Sequence, residues 1–299
     1  MRAWSSARWS IPLPDGHRFP MGKYRLVRDG LVARGVLAES AIYEPERVAR
    51  AELALVHTAR YIDAVIDGTL DPKELRRIGF PWTPLLPERS LRTVQGTLEA
   101  CRDALAGGAG INLAGGTHHA YPDWGEGYCV FNDVAVAIRV LEREGRIGRA
   151  LVVDLDVHQG NGTARIFEDD PAVFTFSVHG ERNYPFHKER SRLDIELADG
   201  TGDDGYLAML ARHLGPVIGE ARPDLVVYIA GADPYQGDRL GRLALSIEGL
   251  RTRDAMVFDA CRTRGLPVSM VLGGGYAANL DDIVTIHANT VEELLARHG

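Results

Sequence analysis

Asp154, Asp156 and His158 stand at every second position where an apolar run, Ala150–Leu155, comes to its end. At that spacing their side chains share one face of an extended chain. Two carboxylates and an imidazole at the edge of a core are costly unless a cation or a dense donor network compensates them. Asp233 arrives just after a second apolar run, Leu225–Ala230. A divalent metal on Asp156, His158 and Asp233 would satisfy all three. Three protein ligands leave one position open, as in catalytic rather than structural zinc sites. The competing view, a solvated Asp-x-Asp-x-His loop with a capping histidine, does not account for Asp233 or for the histidine pair that follows a third run.

That pair is His118-His119, preceded by Gly115-Gly116-Thr117. An activated water needs a base to take its proton, and a departing amine needs an acid. Adjacent histidines can occupy different environments, and Asp154, left free by the metal, is a natural partner for His118. Tyr276 follows Gly273-Gly274-Gly275. Glycines let the backbone approach a ligand closely, and a phenol delivered there could donate to a developing oxyanion. Singly, paired surface histidines and a tyrosine on a glycine turn are ordinary features. Together with the metal cluster they describe metal-assisted hydrolysis of a carbonyl compound, most simply an amide.

The elements that must hold these groups read as strands alternating with helices. Ile111–Ala114, Ala150–Leu155, Val173–Val178, Leu225–Ala230 and Val268–Leu272 are mostly continuous apolar runs, as expected for strands covered on both faces. Between them lie helical patterns: one capped by Asn132 and stopped by Gly145, then 205–219, 246–264 with Ser246 as cap, and 280–297. The pattern predicts an α/β fold with a parallel sheet flanked by helices. Ligands in such sheets bind beyond the carboxyl ends of the strands, which is where the polar clusters fall. The first hundred or so residues are more helical and loop-rich, and no composition shift divides the chain, so 1–299 reads as one catalytic domain.

Composition narrows the class. The 299 residues are 45% hydrophobic and 25% charged, with net charge −7, and 33 are glycine, well above the roughly 7% average. Part of that surplus marks the rim loops. Cys101, Cys129 and Cys261 form no CxxC pair, so a reducing, cytoplasmic setting is expected. Met1–Ser10 has no apolar run of a signal peptide, and no stretch is apolar enough to span a membrane. No dense basic run suggests nucleic acid. An acidic chain would attract basic substrates without specifying one. Gly200-Thr201-Gly202-Asp203-Asp204-Gly205 matches GxGxxG by the letter, but two aspartates would repel a pyrophosphate, so it reads as a turn before a helix.

Taken together, Gly115-Gly116-Thr117-His118-His119, Gly127-Tyr128-Cys129-Val130-Phe131-Asn132-Asp133, Asp154-Leu155-Asp156-Val157-His158-Gln159-Gly160-Asn161-Gly162, Gly231-Ala232-Asp233 and Gly273-Gly274-Gly275-Tyr276 resemble the motifs of the histone deacetylase family. His57-Thr58-Ala59-Arg60-Tyr61 is similar to its N-terminal segment. Gln159–Gly162 and His17-Arg18-Phe19-Pro20-Met21 lean toward the class IV and bacterial branch.

The resemblance implies an arginase/deacetylase-type fold and one Zn2+ on Asp156, His158 and Asp233. His119 becomes the general base and acid, His118 pairs with Asp154, and Tyr276 stabilises the oxyanion. For the substrate it implies the Gly127 carbonyl on the amide N–H, Tyr128 as one wall of an acyl-lysine tunnel, Tyr184 or Phe186 as the other, and Gly274 and Gly275 nearby. A structural K+ or Na+ would sit at Asp154, Asp156, His158 and Ser177. Asn161 departs from branches that place an aspartate beside the second histidine; a neutral amide should leave His119 less basic.

The expected activity is a zinc-dependent deacylase acting on an Nε-acyl-lysine peptide or a small acylated amine such as an acetylpolyamine. A dimanganese ureohydrolase would need further bridging carboxylates, and Asp233-Pro234-Tyr235-Gln236 lacks them. A catalytically dead acyl-lysine binding module is the non-enzymatic alternative. Whether the native metal is zinc or iron, and the oligomeric state, stay open at this level.

Overall fold

The computed structural model describes all 299 residues. Eight strands, β1 (Ala3–Trp4), β2 (Ile42–Tyr43), β3 (Ala109–Asn112), β4 (Ala150–Asp154), β5 (Val173–Gly180), β6 (Leu193–Leu197), β7 (Leu225–Ile229) and β8 (Val268–Val271), join one sheet. Their order is β2-β1-β3-β8-β7-β4-β5-β6, and every pairing is parallel. The helices are α1 (Lys23–Ala33), α2 (Arg50–Leu53), α3 (Ala59–Asp67), α4 (Pro72–Ile78), α5 (Leu85–Gly107), α6 (Asp133–Arg143), α7 (Asn161–Phe167), α8 (Asp203–Ala221), α9 (Ile247–Arg262) and α10 (Leu280–His298).

The continuous apolar runs become strands buried along their whole length, β4, β5, β7 and β8 among them. Helices α5, α6 and α7 pack as one connected group, and α1, α10, α9 and α8 as another. Strands covered on both faces need no polar side, which is why the runs are unbroken. Local signals set the helix ends. Asn132 Oδ1 accepts from Ala135 N–H at 3.0 Å, and Ser246 Oγ from Gly249 N–H at 2.9 Å. Gly145 turns the chain at φ +68° just past α6. Gly200-Thr201-Gly202 lead into α8, whose first residues are Asp203-Asp204-Gly205, and Asp203 accepts from Ser246 N–H and Oγ–H, tying α8 to the start of α9.

Three strands escape the apolar pattern. β1 and β2 have two residues each, too few for a period, and β6 is a half-exposed edge whose Asp194 and Glu196 interrupt the run. No helix is long and apolar enough to cross a membrane.

Candidate functional site

The clusters converge beyond the carboxyl ends of β3, β4, β7 and β8, four neighbours in the sheet. The strand carrying the aspartates stops at Asp154, so Asp156 and His158 lie in a turn rather than on an extended face. Side chains build that turn. Asp154 Oδ1 accepts from Asp156 N–H at 3.2 Å, and Asp156 Oδ1 from His158 N–H at 3.0 Å. Such aspartate-to-backbone bonds favour turns over strands. Leu155 and Val157 point into the core between them.

Asp156, His158 and Asp233 are buried together, with one donor atom from each within 4.8 Å of the others. His158 Nδ1 lies 2.9 Å from Asp156 Oδ1 and 3.2 Å from Asp233 Oδ2. Two ligands at the usual zinc distance of about 2.0–2.1 Å in a tetrahedron stand roughly 3.3 Å apart, so the spacing suits a small dication. Asp233 Oδ2 has no hydrogen-bond partner, although Asp233 Oδ1 accepts from Val157 N–H at 2.9 Å. Burial, and then the Asp156 carboxylate, push the Asp233 carboxyl up to about 7. The cluster is short of positive charge, and the donor set fits a divalent ion. Space requires a glycine at 274, since a Cβ there would collide with Asp233 Oδ2; the Gly274 N–H donates to Asp156 Oδ2 at 2.7 Å.

The two histidines differ in the way their partners dictate. Their rings are 4.2 Å apart. His118 Nδ1–H donates to Asp154 Oδ2 at 2.7 Å. Burial works against its charge, but the Asp154 and Asp156 carboxylates outweigh it and raise the imidazole to about 9. His119 Nδ1–H donates to Asn161 Oδ1, also at 2.7 Å. Burial first, then the charges of His118 and His158, hold His119 well below the ordinary 6.5. His119 is therefore neutral at neutral pH, with Nε2 free to accept a proton. Tyr276 lines the same cavity, and burial followed by the Asp233 and Asp156 charges keeps its phenol protonated, as a donor must be.

A cavity of about 510 Å³ opens above these groups. Tyr128 forms one wall. It sits at φ +66° after Gly127 at φ +56°, a left-handed pair that is unfavourable for a tyrosine and turns its ring to the cavity. A Cβ on Gly127 would strike the His119 ring at 2.7 Å, so only glycine brings that backbone so close. Tyr184 forms the facing wall, edge-on to His119 with ring centroids 5.0 Å apart. Phe186 lies at the mouth and is 80% exposed.

Not every expected residue reaches this space. Gly274 and Gly275 are behind the lining, supporting Asp156 and a lysine instead. Ser177 pairs in register with Asp154, but its hydroxyl is engaged with His179 Nδ1 at 2.9 Å, and both Asp154 oxygens accept protein hydrogens. These side chains give no independent sign of a monovalent ion.

Two participants had no sequence signal. Lys23 is fully buried, with Nζ donating to Gly273 O and Gly275 O at 3.3 Å each and lying 5.3 Å from the Tyr276 ring centre. Glu126 Oε1 accepts from Asn161 Nδ2–H and from Tyr184 O–H, both at 2.8 Å. The carboxylate absent beside His119 is thus present one residue further out.

Residues 17–291 match the model of the histone deacetylase domain, and the chain belongs to that family of hydrolases. It is 49% identical over 277 residues to an uncharacterized protein of Picosynechococcus sp., covering 93% of this chain and 92% of that protein. It is 32% identical over 292 residues to histone deacetylase 2 of Arabidopsis thaliana, covering 95% and 74%. The fold matches the crystal structure of a histone deacetylase homolog from Aquifex aeolicus with TM-score 0.83 at 22% identity, over 99% of this chain and 84% of that one.

Proposed function

We propose that the protein is a zinc-dependent deacylase that hydrolyses the amide of an Nε-acyl-lysine or a related small acylated amine. One observation carries the reading: an orphaned, buried Asp233 oxygen beside Asp156 and His158, facing a neutral His119 and a protonated Tyr276 across one cavity. When bound by Asp156, His158 and Asp233, a divalent ion polarises a carbonyl and acidifies water.

The chain's own groups do the rest. Tyr128 and Tyr184 flank the acyl-amine stem and exclude bulk water. The Gly127 carbonyl accepts the substrate N–H. His119 Nε2 takes a proton from water as its oxygen bonds to the acyl carbon, and Tyr276 O–H donates to the carbonyl oxygen as charge develops there. The C–N bond then breaks while the proton passes from His119 to the departing nitrogen. The products are a carboxylate and an amine. His118, held charged by Asp154, lowers the basicity of His119 and keeps it neutral between turnovers.

The test is a turnover panel of peptides and polyamines with different acyl lengths, run on protein stripped of metal and on protein reloaded with zinc. Activity should vanish on stripping and return with zinc. Tyr276→Phe should cost about 10²–10³ in kcat. Full activity after stripping, or in Tyr276→Phe, overturns the reading.

A further inference from the structure

The mouth of the cavity has the opposite sign to the chain. Arg18, Arg76, Arg77, Arg182, Arg239 and Arg242 all line it and no carboxylate does, in a protein of net charge −7. They converge from separate segments: the stretch before α1, the last turn of α4, the loop after β5 and the loop after β7. Composition alone does not put six guanidinium groups around one opening.

Most of this charge is unspent. Arg242 and Arg182 share a single acid, Asp199, at 3.2 and 4.0 Å. Arg239 Nε donates to Tyr276 O at 2.8 Å, a backbone contact that leaves its charge uncompensated. Arg77 lies over the Trp124 ring, 5.3 Å from its centre. Arg18 and Arg76 are exposed and make no ion pair. Elsewhere on the surface Arg28, Arg47, Arg50 and Arg60 each meet a carboxylate. Holding unpaired like charges together is unfavourable, and low-dielectric walls focus their field on whatever approaches. Below this collar the walls are the neutral rings of Tyr128, Tyr184 and Tyr276. A complementary ligand would place its acyl amide at the bottom, an apolar stem between the rings, and anionic groups at the top, where guanidinium forks match carboxylates or phosphates.

We propose that this arginine collar selects acyl-lysine peptides with acidic residues flanking the lysine, and rejects cationic amines such as acylated polyamines. The proposal rests on the deacylase reading and deepens it. It also reverses the preference for basic substrates that net charge alone suggests.

The experiment uses the zinc-loaded protein and acetyl-lysine pentapeptides that differ only in their flanks, glutamate, serine or arginine, with monoacetylspermidine as a fourth substrate. An exposed ion pair contributes at most a few-fold, so two or three engaged together should raise kcat/KM about tenfold for the acidic over the uncharged peptide. The arginine-flanked peptide and the polyamine should fall below the uncharged one. The spread should shrink as ionic strength rises from about 0.05 to 0.5 M. Arg18→Glu/Arg76→Glu should erase most of the acidic preference, bringing the acidic and serine-flanked peptides to within about twofold of each other.

Turnover of the serine-flanked peptide with no acidic preference overturns the collar and leaves the deacylase reading intact. Failure to turn over any substrate sinks the deacylase reading; the Kd values of the same peptides then decide the collar, an acidic order supporting it and any other order overturning it.

Discussion

Exchanging the charges of Asn161 and Glu126 should move the pH profile of the enzyme. The protein contains its own control: two adjacent imidazoles with acceptors at the same 2.7 Å, a carboxylate for His118 and an amide for His119. The first is raised to about 9 and the second is held well below 6.5. Asn161→Asp alone would set a carboxylate against Glu126 Oε1, where an amide N–H now donates at 2.8 Å, and the two acids would share a proton. Adding Glu126→Gln puts an amide NH2 at that contact, where it can donate to the new carboxylate and to the Tyr184 hydroxyl oxygen, and leaves net charge unchanged. The negative charge simply moves one residue inward to touch His119. A contacting carboxylate raises a histidine by about 1–3 pKa units. Removing the more distant Glu126 charge gives part of this back, so a net rise of about 1–2 units is expected, or roughly 1.4–2.7 kcal/mol. The base must be neutral to act, so activity falls as pH drops through its pKa. The acidic limb of kcat/KM should therefore shift to higher pH by that amount in Asn161→Asp/Glu126→Gln, with little change on the alkaline side. Histidine NMR titration of the same variant should show one imidazole shifted upward. An acidic limb that stays in place, or moves to lower pH, refutes the assignment of His119 as the proton-accepting base.

Two further perturbations probe groups away from Asp156, His158 and Asp233. Lys23→Met keeps the apolar stem but removes the donor that Gly273 O and Gly275 O share, and should lower kcat about 10–100-fold by slackening Tyr276, with KM nearly unchanged. Adding it to Tyr276→Phe should cost little more, because both act through one phenol; fully multiplicative losses would show that Lys23 acts elsewhere. His57 donates from Nδ1 to Tyr121 O and accepts from Asn132 N–H at Nε2, each at 3.0 Å, so only the neutral ring fits. Burial, outweighing its backbone bonds, lowers it to about 4. With the folded value below the unfolded 6.5, its contribution is complete above pH 6.5 and is lost as pH falls toward 4, about 3 kcal/mol in all. The urea-unfolding gap between wild type and His57→Gln should be smaller by about 2 kcal/mol at pH 5 than at pH 7; a gap independent of pH would contradict this.

What could be read before the fold was known, and what could not, follows from how far each interaction reaches along the chain. The central strands announce themselves because both faces are covered and every residue is apolar, and the chemistry-bearing residues stand out by breaking those runs at the rim. Asp154, Asp156 and His158 need only a five-residue window to be seen together. Lys23 acts on carbonyls some 250 positions away, and nothing near it distinguishes it from a surface lysine of an amphipathic helix. Glu126 is one acid between two glycines, and its meaning appears only when α7 brings Asn161 against it. The arginine collar is the hardest case, because no segment is basic and the chain's net charge has the wrong sign. Only folding superposes Arg18, Arg76, Arg77, Arg182, Arg239 and Arg242 around one opening. The residues of the Asp-His-Asp cluster and the histidine pair thus show up in sequence as short clusters, since strand ends deliver them. Residues that tune the base, brace the phenol or face the incoming ligand are assembled across the whole chain, and composition averages them away.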